Sequence, residues 1–80
     1  MRKSGIYKIE NIVTKQFYIG SATYIKSRWG RHRRDLKLTQ HANKHLQSSW
    51  DKHGESSFVF SIVEECHKDK LIEREQHYID

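Results

Sequence analysis

The chain lacks proline and has only four glycines among its eighty residues, so no linker or low-complexity segment divides it. Its single cysteine, Cys66, excludes an internal disulfide and fits a reducing compartment. No apolar run approaches the roughly 20 residues of a membrane helix. The basic N-terminus, Met1-Arg2-Lys3-Ser4, is not followed by the apolar stretch of a secretory signal. Internal repeats, a glycine-rich phosphate loop and a Ser-His-Asp order are all missing. His41 and His45 stand four apart, but no Cys pair or second His pair accompanies them, which argues against a structural zinc site. What this leaves is one small domain, 35% hydrophobic and 11% aromatic, with room for a modest core.

What is abundant is positive charge. Fifteen basic residues face ten acidic ones, for a net charge of +5. The excess is local: Lys26, Arg28, Arg31, Arg33, Arg34 and Lys37 crowd the segment 26–37, with Asp35 as its one acid. Such a stripe is either a solvated helix face or a surface for a polyanion, nucleic acid foremost.

The pattern predicts an α+β fold in the order β-β-α-α-β-α, a small three-stranded antiparallel sheet flanked by helices. Gly5–Glu10 and Gln16–Gly20 read as a hairpin joined by Asn11–Lys15. Residues 24–37 read as a helix with Ser21 or Thr23 as its cap and Ile25, Trp29 and Leu36 as its apolar stripe. Residues 43–53 form a second helix, with Asn43 as N-cap, Leu46 and Trp50 inward, and Gly54 as its stop. Ser57–Glu64 is apolar on both faces, which predicts a central, doubly covered strand. Residues 68–80 read as the last helix, its apolar arc formed by Leu71, Ile72, Tyr78 and Ile79.

Some residues break this pattern. Glu75 falls near the middle of the last helix's apolar arc, at about 100° per residue. A carboxylate there must be paired with an arginine or tyrosine, bound to a metal, or at the mouth of a cleft. His32 lies within the stripe of Ile25, Trp29 and Leu36, with Arg28 one turn before it. That pair is either a satisfied core histidine with a flanking cation, or a cation and an imidazole presented to one phosphate. Two triplets at hairpin spacing, Gly5-Ile6-Tyr7 and Tyr18-Ile19-Gly20, each bring one glycine and one tyrosine. A hairpin can hold two such phenols close on one face.

Taken together and in order, these motifs resemble the GIY-YIG nuclease superfamily. The segments SGIYKIEN, FYIGSA, RWGRH, LQSSWDKHG and IERE look most like catalytic domains of phage and intron-encoded homing endonucleases. The resemblance implies a divalent-metal-dependent DNA endonuclease domain over residues 1–80, hydrolysing phosphodiester bonds. It implies one metal ion, Mg2+ or Mn2+, bound by Glu75. Tyr7 would act as general base or orient the attacking water, and Tyr18 would hydrogen-bond around the phosphate. Arg28 would stabilise charge on the phosphoryl oxygens, and His32 would contact the phosphate or relay a proton. Gly5 and Gly20 would permit close backbone approach. Lys26, Arg31, Arg33, Arg34 and His41 would bind double-stranded DNA, with His41 secondary. The setting would be the cytoplasm of a bacterial or phage-infected cell. Family members continue past the last helix, so the resemblance also implies truncation at the C-terminus and a missing C-terminal DNA-recognition region. Oligomeric state stays open. A non-catalytic nucleic-acid-binding module, or an inactive fragment of such a nuclease, is the alternative.

Overall fold

The computed structural model describes residues 3–79. Its elements are β1 (Gly5–Asn11), β2 (Phe17–Ala22), α1 (Ile25–Lys37), α2 (Lys44–His53), β3 (Phe58–Glu65) and α3 (Leu71–Ile79), with short 3-10 turns before β3 and α3. The expected β-β-α-α-β-α order is therefore present. The last position assigned to the final helix, Asp80, lies outside the described residues, as do Met1 and Arg2. Among the described residues, no helix is long and apolar enough to cross a membrane.

The hairpin forms because Asn11 organises its turn. The Asn11 carboxamide oxygen accepts from the Val13 and Thr14 amides, at 2.9 and 3.3 Å. This is a side-chain turn that asparagine favours. Its other end donates to the Ser49 hydroxyl at 2.8 Å, tying the hairpin to α2. Lys15 closes the turn at φ 68.

The sheet order is β2-β1-β3, both pairs antiparallel. This corrects one expectation: β3 is an edge strand, and β1 is central. None of the β3 residues is fully buried, and Val59 and Ile62 stand exposed. Apolar residues on both faces do not require a central strand; here they sit on an edge that is only half covered. The real central strand, β1, buries Gly5, Ile6, Tyr7, Ile9 and Asn11.

Alternate residues share a face. One face carries Tyr7 and Ile9 of β1, Tyr18 and Ala22 of β2, and Phe58 and Phe60 of β3. Against it pack Ile25, Trp29 and Leu36 of α1 and Leu46 and Trp50 of α2. The opposite face carries Ile6, Ser21 and Glu64, and the last two bond to side chains of α3. The sheet thus separates α1 and α2 from α3.

The α3 stripe also differs from expectation. Ile72 is 84% exposed and Ile79 57% exposed, so neither belongs to the inner face. That face carries Leu71, Arg74, Glu75 and Tyr78 instead. Arg74 grips Glu64 with two hydrogen bonds, at 2.6 and 2.7 Å, and the Tyr78 hydroxyl donates to Glu64 at 2.8 Å. The Arg74 bonds, then the Tyr78 bond, hold the Glu64 carboxyl down at about 2. Polar groups cover this end of the sheet because they satisfy one another.

The helix caps divide in the same way. Asn43 caps α2 as expected, accepting from the Leu46 amide at 3.1 Å. The N-cap of α1 is Tyr24, without a side-chain cap bond, so neither Ser21 nor Thr23 plays that part.

Gly5 and Gly30 make opposite predictions. A Cβ on Gly5 would overlap the Glu64 carbonyl oxygen and lie 2.9 Å from the Glu65 Cα, where only backbone could yield. The neighbouring β1–β3 register steps from Ile6↔Glu64 to Tyr7↔Ile62, leaving Val63 as the extra residue of a bulge. Gly5→Ala should therefore destabilise the fold by about 1–3 kcal/mol. A Cβ on Gly30, inside α1, meets nothing within 4 Å. Gly30→Ala should stabilise it by about 0.5–1 kcal/mol. Urea unfolding midpoints check both signs.

Candidate active site

The two tyrosines of the hairpin meet because of register. Tyr7 pairs with Gly20 and Ile9 with Tyr18, so the phenols are diagonal neighbours with ring centroids 6.5 Å apart. Gly20 makes room for the first of them. A Cβ there would overlap the Tyr7 hydroxyl and ring, so the phenol lies in the space a side chain would fill. It therefore reaches over β2, the outer strand on that side.

From α1 comes His32, with Ile25, Trp29 and Leu36 on the same helical face. The Tyr7 hydroxyl and the His32 Nε2 are 2.6 Å apart, and the His32 Nδ1 lies 2.7 Å from the His41 Nε2. The two imidazoles stack at 4.9 Å. His41 is held in turn: its Nδ1 accepts from the Asn43 amide at 3.0 Å, and its own amide donates to the Gln47 side-chain oxygen at 3.0 Å. Gln47 is buried and spends both amide protons, on the Leu36 carbonyl and on Asp51. Both ring nitrogens of His41 are engaged, so it has no lone pair left for a metal. His45 is exposed on α2.

Arg28, Arg31, His32, Asp35, His41 and Tyr18 line one cleft, so the Arg28 and His32 signal of the sequence is realised on one wall. Arg33 is not on it: its guanidinium lies over the Phe60 ring at 4.2 Å. Lys26 and Arg34 are exposed on α1, outside the cleft lining.

Glu75 arrives from the opposite side of the sheet. Its Oε1 accepts from the Ser21 hydroxyl at 2.7 Å, and Ser21 directly follows Tyr18-Ile19-Gly20 on β2. The carboxylate therefore sits against the same outer strand over which Tyr7 leans. Its field reaches the phenol. Burial above all, then Tyr18, raises the Tyr7 pKa; Arg28 opposes this and Glu75 adds to it. Burial likewise depresses His32 from 6.5 to about 4, with the neighbouring His41 and Arg28 assisting. His32 is neutral at physiological pH.

Among the described residues, no group of three or more His, Cys, Asp or Glu could cage a metal. The donor set is a single carboxylate with one oxygen bonded to Ser21. That fits a small hard cation, which keeps its waters and needs one or two carboxylates plus a substrate phosphate. It does not fit a soft metal that requires thiolate or several imidazoles.

A family profile described as GIY-YIG catalytic domain matches residues 3–80. The chain belongs to the GIY-YIG family. GIY-YIG nucleases generally depend on a divalent metal ion. This GIY-YIG domain is 46% identical over 79 residues to intron-associated endonuclease 1 of Enterobacteria phage T4, which covers 96% of the chain. The match takes in 32% of that relative, so the chain spans about a third of its length. Among solved structures, it superposes on the catalytic domain of homing endonuclease I-TevI with a TM-score of 0.89. There the identity is 44%, over 96% of this chain and 85% of that one. A variant of the catalytic domain of intron endonuclease I-TevI gives a TM-score of 0.88 at the same identity, over 96% and 80% of the two chains.

Three residues around this GIY-YIG site were given no site role on the sequence. Ser21 read as a helix cap but seats Glu75. Asn43 read as a cap, and its amide also orients His41. Gln47 gave no signal, because a lone Gln between Leu46 and Trp50 looks like a half-exposed helix position.

The depressed His32 sets a stability window. Between pH 4 and 6.5 the unfolded chain binds more protons than the folded GIY-YIG domain, so stability falls as pH drops through that range. The loss should reach on the order of 3 kcal/mol at the low end. Glu64 acts lower, from 4.5 down to about 2. Urea midpoints between pH 7 and 4.5 should decline for the native chain and stay flatter for His32→Gln; equal slopes would contradict a neutral buried His32.

Proposed function

We propose that this domain is a metal-dependent DNA endonuclease, cutting one phosphodiester bond per encounter in double-stranded DNA. The observation carrying this reading is that Ser21 holds Glu75 against the same edge strand over which Tyr7 leans. On α1, Arg28 and His32 line one cleft wall, and His32 meets the Tyr7 oxygen. A buried phenol, a neutral imidazole, a cation and a half-buried carboxylate around one strand form the kind of perturbed cluster found at functional sites.

Hydrolysis needs an activated water, an answer to charge growing on the phosphoryl oxygens, and an easier departure for the 3′ oxygen. Tyr7, as phenolate, accepts a proton from the attacking water, whose oxygen bonds to phosphorus as the bond to the 3′ oxygen breaks. Tyr18, 6.5 Å from Tyr7 between ring centroids, orients that water or a phosphate oxygen. Arg28 supplies a fixed donor fork where negative charge grows. Arg31 lines the same cleft and, with Lys26 and Arg34 on the exposed side of α1, holds flanking phosphates. One Mg2+ or Mn2+ held by Glu75 would neutralise phosphate charge and stabilise the leaving oxygen. With a raised pKa in the free protein, Tyr7 needs nearby positive charge to ionise; Arg28 supplies part of it, and a cation held by Glu75 would add to it.

The phage relative is about three times as long as the matched region, and a further part of such a chain would read sequence. The setting of this domain is the cytoplasm of a bacterial or phage-infected cell, where such DNA is accessible and Cys66 stays reduced. The name of the phage relative, an intron-associated endonuclease, favours a role in intron mobility.

Plasmid nicking tests this reading. The purified chain should nick supercoiled DNA with Mg2+ and not with EDTA. Glu75→Ala should lower the rate at least 100-fold with the fold intact by circular dichroism. Arg28→Ala should slow nicking by 10²–10³-fold, the scale of one lost transition-state donor, while DNA affinity falls only a few-fold. Salt-sensitive binding without scission under any metal condition would establish a binding module instead.

A further inference from the structure

The hydrogen-bonded chain behind Tyr7 has a direction, and one backbone amide sets it. An amide N–H can only donate. The Asn43 amide points at the His41 Nδ1 at 3.0 Å, so that nitrogen carries no proton. The proton of a neutral His41 is then on Nε2, 2.7 Å from the His32 Nδ1, and is donated to it. His32 is left with its own proton on Nε2, 2.6 Å from the Tyr7 oxygen. The reverse order would put a proton on the His41 Nδ1, facing the amide proton of Asn43. The Gln47 side chain allows no escape. Its amide nitrogen must face the Leu36 carbonyl, so its oxygen faces the His41 amide and fixes the loop that carries the ring.

We propose that His41 is a positioning residue which locks His32 in the Nε2–H tautomer, making the pair a one-way donor to the Tyr7 oxygen rather than a proton relay. Two consequences follow for the reaction. The nitrogen nearest Tyr7 is already protonated, so the proton Tyr7 takes from water cannot pass to the histidines and leaves through the cleft. The phenolate, for its part, receives a charge-assisted hydrogen bond polarised by a second one behind it. The neutral phenol must turn its own O–H away from His32.

This inference rests on the reading of Tyr7 as the group that meets the attacking water, but its first test does not. Long-range 1H–15N correlation spectra of the DNA-free chain at neutral pH report which nitrogen of each ring is protonated. Both His32 and His41 should appear as Nε2–H tautomers. His32 found as Nδ1–H would overturn the proposal whatever the chain does to DNA. In His41→Phe the donor is gone, and His32 should shift toward Nδ1–H while nicking slows about 10- to 100-fold, the scale of one charge-assisted hydrogen bond. In His41→Gln the carboxamide nitrogen can take the place of Nε2, so the His32 tautomer and most of the rate should return. A His32 tautomer unchanged in His41→Phe would overturn the proposal. Should His41→Phe fail to fold, the native spectrum and His41→Gln still decide. Expected tautomers with no nicking would retain the wiring and discard the nuclease reading.

Discussion

The contact between the Tyr7 ring and the backbone of Gly20 is the constraint on which this molecule is built. A side chain on Gly20 would occupy the space of the phenol, so any other residue there moves Tyr7 off β2. Once the phenol lies there, His32 must come from the helix above to bond its hydroxyl, and α1 must cross that face of the sheet. His41 must then return toward α1 after it ends, to satisfy the far side of the imidazole. The Schellman-like close of α1, with the Gln40 amide bonded to the Asp35 carbonyl and Thr39 at φ 58, turns the chain back for this purpose. A local steric vacancy thus dictates the course of residues 25–47.

The two faces of the sheet do different work. The face under α1 and α2 is mostly apolar and aromatic, and holds the domain together through Ile9, Ile25, Leu36, Leu46 and Trp50. The face under α3 is held by the Glu64, Arg74 and Tyr78 cluster. Arg74 and Glu75 are adjacent in sequence, so the ion pair that anchors α3 also fixes where the neighbouring carboxylate sits. Docking of this helix and placement of its functional residue are therefore one event. That coupling explains why α3 tolerates exposed Ile72 and Ile79: its position does not depend on an apolar stripe.

The sequence-level legibility of the fold follows from these facts. The element order, the hairpin and the second helix were readable because turn chemistry and periodicity are local: Asn11 and Asn43 each do what asparagine does at such positions. The place of β3 was not readable, since a strand with apolar residues on both faces can be central or a half-covered edge, and only pairing decides. The α3 stripe was half legible: Leu71 and Tyr78 lie on the inner face as expected, but Ile72 and Ile79 are exposed and Arg74 takes a covered position. Glu75 nonetheless sits on the inner face, for a polar reason rather than as an exception in an apolar arc. Hairpin spacing made Tyr7 and Tyr18 legible as neighbours, and helical spacing did the same for Arg28 and His32; only the resemblance to GIY-YIG nucleases joined the two pairs into one expected set. Ser21 acts across 54 residues, Asn43 through its backbone amide, and Gln47 through side-chain bonds to the His41 amide and the Leu36 carbonyl, none of which a local pattern reports.

β2 has a second side. Its inner edge pairs with β1, while among the described residues its outer edge has no strand neighbour in the sheet. Open strand edges invite pairing with another copy, and proteins ordinarily blunt them with charge, bulges or a covering segment. This one cannot be covered without closing off Tyr18 and Glu75, and its residues Tyr18, Ile19 and Gly20 are poor guards. Repulsion is the remaining defence. The cationic wall of α1 beside that edge means that two copies approaching edge to edge bring like charges together. The basic character that suits a polyanion would then also keep the protein from self-assembly, and solubility should be poorest where salt screens that charge and no nucleic acid is present.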